Sequence, residues 1–314
     1  MIKNIGFFIR SNSLHILKKY NTRFSTKRIM LSESNNERII QALDKIHEQK
    51  ISKMSIITEN EDVSKNIPGY LLESEVLDLK IYKKGETVLN NIDIGHKLLS
   101  IGEIDGMVSC NILPTKDLIK SALKYIGLKE NYSTLSSYFI MIPPSNVQKT
   151  LLFADCAVVK KPTEEQLIDI ILQTAESYRK LFEEDPKIAL LSYSTHGSAQ
   201  DENIDILNKA KNRVIEKYPQ FKNNLDGELE VDAALVEDIY IKKAPTSCLE
   251  GKANILIFPS LDAGNIAYKL IERLGYYKAV GPIFQGLKKP SNNLSRDYSI
   301  EDILNVIKIT CKQS

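Results

Sequence analysis

The chain has little cysteine, and Cys110, Cys156, Cys248 and Cys311 are far apart with no Cys-x-x-Cys pair, which excludes a disulfide framework or a cysteine zinc site. The four histidines, His15, His47, His96 and His196, lack metal-ligand spacing as well, so no metal is expected. No stretch approaches the roughly 20 consecutive apolar residues that span a bilayer, so no membrane association is expected. Excess charge is also missing. Lys and Arg number 42 against 40 Asp and Glu, and no basic stripe stands out, which argues against nucleic-acid partners. Repeats and low-complexity tracts are absent too. What remains is ordinary globular composition, 43% hydrophobic and 26% charged, over 314 residues, a length that suggests two domains.

One local absence is informative. Residues 1 to 30 contain no Asp or Glu, while Lys3, Arg10, Lys18, Lys19, Arg23, Lys27 and Arg28 supply positive charge. Ile2, Ile5, Phe7, Phe8, Ile9, Leu14, Ile16 and Leu17 interleave with them at roughly helical spacing. An acid-free, basic, amphipathic leader reads as an organelle transit peptide over 1–26, with Arg23-Phe24-Ser25-Thr26 suited to cleavage after Phe24. That predicts a mitochondrial or other organellar location; a simple basic tail is the plainer alternative.

Beyond the leader, apolar runs alternate with helical patterns. Lys27–Ser32 and Ile51–Thr58 read as strands around a helix opened at Asn35–Arg38 and faced by Ile39, Ile40, Leu43 and Ile46. Glu75–Leu79 is a further short strand candidate, Thr87–Ile101 a helix, Asp105–Ser109 a strand, and Thr115–Ile126 a helix N-capped by Thr115. Ser133–Ile142, Leu151–Asp155, Ile188–Tyr193 and Asn254–Pro259 are strands, and Asp226–Leu229 a strand or turn. The helices between them run over Thr163–Phe182, Ile204–Lys217 and Ala233–Lys242, with another from Ala263 through Leu274. Strand-helix-strand alternation marks an α/β fold with a parallel sheet.

Two stretches suit chemistry. Ser194-Thr195-His196-Gly197-Ser198 follows a strand, where open α/β sheets place ligands, and fits either a phosphate-cradling loop or a plain turn. Gly281-Pro282-Ile283-Phe284-Gln285-Gly286-Leu287 leads through Ser295-Arg296 to Glu301-Asp302 at the start of the last helix. Glycines admit close backbone approach to an anion, and Ser-Arg pairs a hydroxyl with a fixed cation. The plain alternative is a Gly/Pro turn followed by a serine N-cap.

Ala253–Pro259, Asp262–Leu270, Gly281–Leu287 and Leu294-Ser295-Arg296 with Asp302-Ile303 closely resemble the phosphate acetyltransferase (phosphotransacetylase) family. Phe153–Val158, Leu191–Thr195 with Gly197-Ser198, Asp226–Leu229 with Asp232-Ala233-Ala234, Asp105–Val108 and Arg28–Arg38 agree as well, so the resemblance spans about 27–314. It implies a two-domain α/β fold, rich in parallel sheet and like the isocitrate and isopropylmalate dehydrogenases. In that fold 27–131 with 281–314 form one domain and 132–280 the other, with the site in the cleft between them. It implies acetyl transfer between acetyl-CoA plus phosphate and acetyl phosphate plus CoA, by a homodimer with no permanently bound cofactor. A phosphate propionyl- or butyryltransferase, or a non-catalytic CoA-binding regulatory homologue, are the alternatives.

The resemblance makes Asp302 the general base for the CoA thiol, Arg296 the phosphoryl clamp and Ser295 a hydrogen-bond donor to the reacting oxygen. An ordinary aspartate is a poor base for a thiol, a mismatch of about 6 kcal/mol, so the proton must move in concert with attack or the site must shift one partner. Gly281, Gln285, Gly286, Asn265, Ser194, Thr195 and Lys120 are candidate substrate contacts, each equally open to a turn or strand-end role. Cys156 matches a family cysteine near the cleft, and a buried structural thiol is the reading preferred for it.

This chain also departs from the family pattern. Cys110-Asn111-Ile112-Leu113-Pro114-Thr115 stands where a Gly-Ala-Val-His-Thr-Thr type stretch is usual, and Lys120 replaces an arginine. Another family arginine has no clear counterpart in Lys80–Gly85. Asp297-Tyr298 replaces a small Gly-Cys pair, where the carboxylate would weaken anion affinity and the tyrosine would narrow the acyl pocket.

Overall fold

Short apolar runs bounded by polar residues become strands in the computed structural model, and the amphipathic stretches between them become the helices that cover the sheets. The structure describes residues 25–33, 37–58, 63–83, 89–110, 114–144, 149–294 and 298–314. The leader up to Phe24 lies outside them, as do Lys84-Gly85, Asn111-Ile112-Leu113 and Ser295-Arg296-Asp297.

In chain order, the first half holds β1 (Ser25–Leu31), α1 (Glu37–Glu48), β2 (Ser52–Thr58), the short α2 (Val63–Asn66) and α3 (Gly69–Leu72), β3 (Lys80–Lys83), α4 (Asn91–Ile101), β4 (Gly106–Ser109) and α5 (Thr115–Tyr125). The middle holds β5 (Ser136–Ile142), β6 (Leu151–Ala154), α6 (Glu164–Phe182), β7 (Ile188–Leu191), α7 (Glu202–Lys217), β8 (Leu225–Leu229), α8 (Val231–Leu235), α9 (Glu237–Lys243), β9 (Ile255–Ile257) and α10 (Leu261–Leu274). The chain closes with β10 (Lys278–Gln285), β11 (Ser291–Asn293) and α11 (Ile300–Gln313).

Two compact units result, one of 130–280 and one whose described part is 25–129 with 281–314. The second unit carries a five-stranded sheet in the order β11-β4-β1-β2-β3, in which β11 with β4, β4 with β1, β1 with β2 and β2 with β3 all run parallel. Residues Ile29, Leu31, Ile39, Leu43, Met54 and Ile56 are almost fully buried between its strands and helices. Two close approaches pin helices to this sheet. A Cβ at Gly95 of α4 would lie 2.7 Å from the Met107 sulfur, and one at Gly106 of β4 would lie 2.5 Å from a Thr310 methyl of α11.

The 130–280 unit is built on the sheet β10-β5-β6-β9-β7-β8, in which β5 and β6 are antiparallel and β6, β9, β7 and β8 run parallel. Its core includes Phe139, Met141, Phe153, Leu256 and Phe258, and Tyr268 of α10 stacks on Phe139 with ring centroids 4.1 Å apart. Thr163 and Gln166 form a capping box at the start of α6.

Five local expectations are corrected. Glu75–Leu79 is a turn, not a strand. Asp78 takes a positive φ of 40° there, its carbonyl and carboxylate accept from Arg28, and β3 starts only at Lys80. Pro114, not Thr115, occupies the cap position of α5, with no side-chain cap. Ala233–Lys242 splits into α8 and α9 because Val236 is extended, with the backbone of Gly251 packed against its peptide. Gly281–Gln285 is strand, not turn, and β1 starts at Ser25, inside the expected leader.

Candidate active site

The carboxyl edge of the five-stranded sheet is the place to start. From β1 the chain winds outward through β2 and β3, then crosses to the other side of β1 for β4 and β11. Connections therefore diverge between β1 and β4, which makes this a topological switch point, where a crevice for ligands opens outside the strand ends.

Register sorts the residues at this edge into two faces. Leu31 and Asn292 both pair with Val108, and Asn293 pairs with Ser109. One residue on, Ser32, Ser109 and Asn293 form a polar row across three strands, each buried to at least 97%. The Ser32 hydroxyl and the Asn293 carbonyl oxygen have no hydrogen-bond partner among the described residues. A buried polar atom left in that state costs about 1–3 kcal/mol. Asn293 Nδ2 lies 3.5 Å from Thr115 Oγ1, at the uncapped start of α5, where backbone N–H groups carry partial positive charge.

The opposite face presents Glu33, Cys110 and Leu294, and here Tyr298 is buried as well. Arg38 of α1 donates from Nη1 to the Tyr298 carbonyl at 3.1 Å and places its guanidinium carbon 5.5 Å from the ring centroid. Burial pushes the Tyr298 phenol up to about 12, with Cys110 and Glu33 adding and Arg38 opposing. Burial also pushes the Cys110 thiol well up, helped by Glu33. Both groups are therefore neutral near pH 7, and neither is a ready nucleophile or base.

Asp302 stands at the third position of α11, next to this cluster in sequence. Its Oδ2 accepts from the Ser299 N–H at 2.9 Å and from the Ser299 hydroxyl at 2.6 Å, and its own N–H donates to Ser299 Oγ at 3.2 Å. This capping box makes Ser299 the N-cap of the last helix. The pattern Ser299-Ile300-Glu301-Asp302 ahead of an apolar run was the sequence signal for it. Ser295 and Arg296 fall outside the described residues.

The strand β11 that leads here is held by buried polar side chains. Asn292 accepts from the Phe284 N–H at 2.9 Å and donates to Thr310 at 2.8 Å and Gln313 at 2.7 Å. His96 of α4 lies between Ser121 of α5 and Ser291 of β11, 2.8 Å from each hydroxyl, and the Ser121 hydroxyl reaches Asp93 at 2.5 Å. Burial lowers the imidazole to about 4, against the pull of Asp93, so it is neutral. None of these polar residues belonged to the sequence-predicted site; only their burial reveals them.

The other predicted contacts scatter. Gln285 is buried at the end of β10, and Gly286, at a φ of 95°, accepts through its carbonyl from the Lys129 N–H at 2.9 Å. Gly281 is a strand residue of β10, and Lys120 is exposed on α5.

In the 130–280 unit, the Ser194–Ser198 loop does form an anion cradle, but the anion in it is the protein's own. Glu228 Oε1 accepts from the Gly197 N–H at 2.6 Å and the Ser194 hydroxyl at 3.0 Å, and Oε2 accepts from Asn208 at 2.8 Å. Burial works to raise the Glu228 carboxyl, but the Gly197, Asn208 and Ser194 hydrogen bonds outweigh it and hold the group lowered. Thr195 is likewise engaged, with Glu230 at 3.2 Å. The cradle expectation for Ser194 and Thr195 thus gives way to a turn closed by a carboxylate.

Asn265 donates to the Cys156 carbonyl at 3.2 Å. A Cβ at neighbouring Gly264 would lie 2.6 Å from the Asp155 carbonyl, so α10 packs hard on this loop. Asp155 is buried and accepts from the N–H groups of Ala157, Val158 and Val159 and from the Ser137 hydroxyl at 2.6 Å. Burial pushes the Cys156 thiol well up, as suits a structural cysteine. Among the described residues no His, Cys, Asp and Glu group could hold a metal, and no helix is long and apolar enough to cross a membrane.

Comparison with known proteins identifies the family and the fold. The family described as "Phosphate acetyl/butaryl transferase" matches residues 70–311. A Clostridium acetobutylicum protein named phosphate acetyltransferase is 38% identical over 92% of this chain and 94% of its own length. The crystal structure of a phosphotransacetylase from Streptococcus pyogenes superposes with a TM-score of 0.85 at 33% identity, covering 96% of this chain and 98% of that one. A Salmonella typhimurium structure named "putative 4-hydroxythreonine-4-phosphate dehydrogenase" shares the fold at a TM-score of 0.59 and 12% identity.

Proposed function

The chain belongs to the phosphate acetyl/butyryl transferase family, and we propose that it moves an acetyl group reversibly between coenzyme A and inorganic phosphate. The likeness to the streptococcal phosphotransacetylase, over nearly the full length of both chains, carries this reading. In the direction of acetyl-CoA synthesis, the CoA sulfur attacks the acetyl carbonyl of acetyl phosphate. The C–S bond forms, the C–O bond to phosphate breaks, phosphate leaves with the bonding pair, and the thiol proton passes to a carboxylate.

Asp302 is the base in this scheme. Its capping box supports the role, because two hydrogen bonds from Ser299 fix the carboxylate on a rigid helix end. Arg296 would hold the phosphoryl oxygens in a bidentate grip and neutralise the leaving group, with Ser295 donating to the reacting oxygen. The polar row of Ser32, Ser109 and Asn293 at the switch point is the matching surface for the substrate's polar groups. CoA enters as a substrate, and the scheme uses no metal. The deciding experiment follows CoA release with DTNB from acetyl-, propionyl- and butyryl-CoA in phosphate or arsenate. Release from acetyl-CoA supports the scheme, and no turnover with any of the three removes it.

Two features bear on assembly and location. Ile266, Leu270 and Leu274 form an exposed apolar stripe at i, i+4 and i+8 on α10, with Tyr276 beside it in sequence. We propose that this stripe pairs two copies of the chain. Light scattering should then report a dimer for the wild type and a monomer for Leu270→Asp; an unchanged dimer assigns the interface elsewhere. The acid-free leader motivates organelle import, which a fusion of residues 1–30 to a fluorescent protein tests directly. Diffuse cytosolic fluorescence rejects it.

A further inference from the structure

We infer that Tyr298 sets the upper size of the acyl group, so that this protein transfers acetyl and rejects four-carbon chains. The inference rests on the acyl-transfer reading above and deepens it. Tyr298 immediately precedes the capping box that holds Asp302, the residue assigned to take the thiol proton. Its side chain is only 6% exposed and lies on the α1 and α11 face of the sheet edge, beside Cys110 and Glu33 at the β1/β4 switch point. In the proposed arrangement the ring borders the crevice that such a switch point opens.

The ring is also fixed there. The Arg38 guanidinium lies over it, 5.5 Å from the centroid, while the same guanidinium donates to the Tyr298 carbonyl at 3.1 Å. A tyrosine has only two side-chain torsions, and one clamped at both ring and backbone does not swing aside for a larger substrate. These two contacts tie the ring and its backbone to α1. Cys110, the residue after β4, lies beside the ring in this reading; it is 4% exposed and larger than the glycine that the resemblance expects there.

The test compares kcat/KM for acetyl-, propionyl- and butyryl-CoA in the DTNB assay. Wild type should favour acetyl over butyryl by at least about 100-fold, since each excluded methylene is worth roughly 10-fold or more. Tyr298→Phe keeps the ring and should preserve that order. Tyr298→Ala should shrink the acetyl-to-butyryl ratio by about 10-fold or more, mainly through a lower KM for butyryl-CoA. If the alanine variant does not fold by circular dichroism, Cys110→Ala opens the space beside the ring and should shift the ratio in the same direction. A wild type that accepts butyryl-CoA as well as acetyl-CoA overturns the assignment, as does a folded Tyr298→Ala with an unmoved ratio. A wild type that transfers no acyl group removes the transfer reading itself, and the role of Tyr298 with it.

Discussion

Acidification should destabilise this protein through one buried side chain. His96 is fully buried between two serine hydroxyls at 2.8 Å. Because the Ser121 hydroxyl donates to Asp93, its oxygen accepts from His96 Nδ1–H, and His96 Nε2 accepts from the Ser291 hydroxyl. The imidazole is neutral, lowered by burial from 6.5 to about 4. In the unfolded chain it protonates as pH drops through about 6.5. The unfolded state therefore holds more protons between these values, and stability must fall as pH falls. The loss begins near the unfolded value, reaches about 2 kcal/mol at pH 5 and levels off at about 3 kcal/mol below pH 4.

Urea unfolding followed by circular dichroism at pH 7.5 and pH 5 measures this, with His96→Gln as the reference. A glutamine can donate to Ser121 and accept from Ser291 but does not titrate. The wild type should lose about 2 kcal/mol more than the variant on acidification. Ser291→Ala, which strips Nε2 of its partner, should cost about 1–3 kcal/mol at pH 7.5. Equal pH losses in wild type and His96→Gln would refute the reasoning, because another group would then carry the acid sensitivity.

Three further outcomes follow. Asp302→Asn should lower kcat more than KM in the DTNB assay, while circular dichroism shows α11 retained, since an amide oxygen can still accept from Ser299; an unchanged kcat points to another base. Arg296→Ala should reduce turnover or acetyl phosphate affinity at least about tenfold with the fold intact, and full activity would remove its phosphoryl role. Gly264→Val should destabilise the 130–280 unit by about 1–3 kcal/mol, because its side chain would collide with the Asp155 carbonyl and Cys156 sulfur; unfolding midpoints equal to wild type would show that α10 shifts freely.

Much of the fold is legible because its signals are local. The apolar run over Ile29–Leu31 and the amphipathic spacing of Ile39, Leu43 and Ile46 each name an element without knowledge of their neighbours. Misreadings occur where a distant residue intervenes. Asp78 turns the chain because Arg28, far back in sequence, needs its carbonyl and carboxylate. The Ser194 loop looks like a phosphate cradle because its N–H groups converge, and only folding brings Glu228 into it.

For the site, the division follows the same physics. The ordered motifs around Gly281–Leu287 and Ser295–Asp302 were enough to indicate the family and the chemistry, since covalent order along the chain is what a motif records. The capping box of Ser299 and Asp302 lay within reach of the same logic, as a contact three residues long. Burial and cross-strand register lie outside it. No local pattern says that Ser32, Ser109 and Asn293 share a row, or that His96 must be neutral between two serines. Nor does one say that Arg38 clamps Tyr298, because each relation joins residues tens to hundreds of positions apart. Sequence by itself determined the family, the reaction class and most of the elements. Tertiary structure alone decided which polar groups lose water and which side chains meet at the strand ends, because only packing removes solvent and aligns strands.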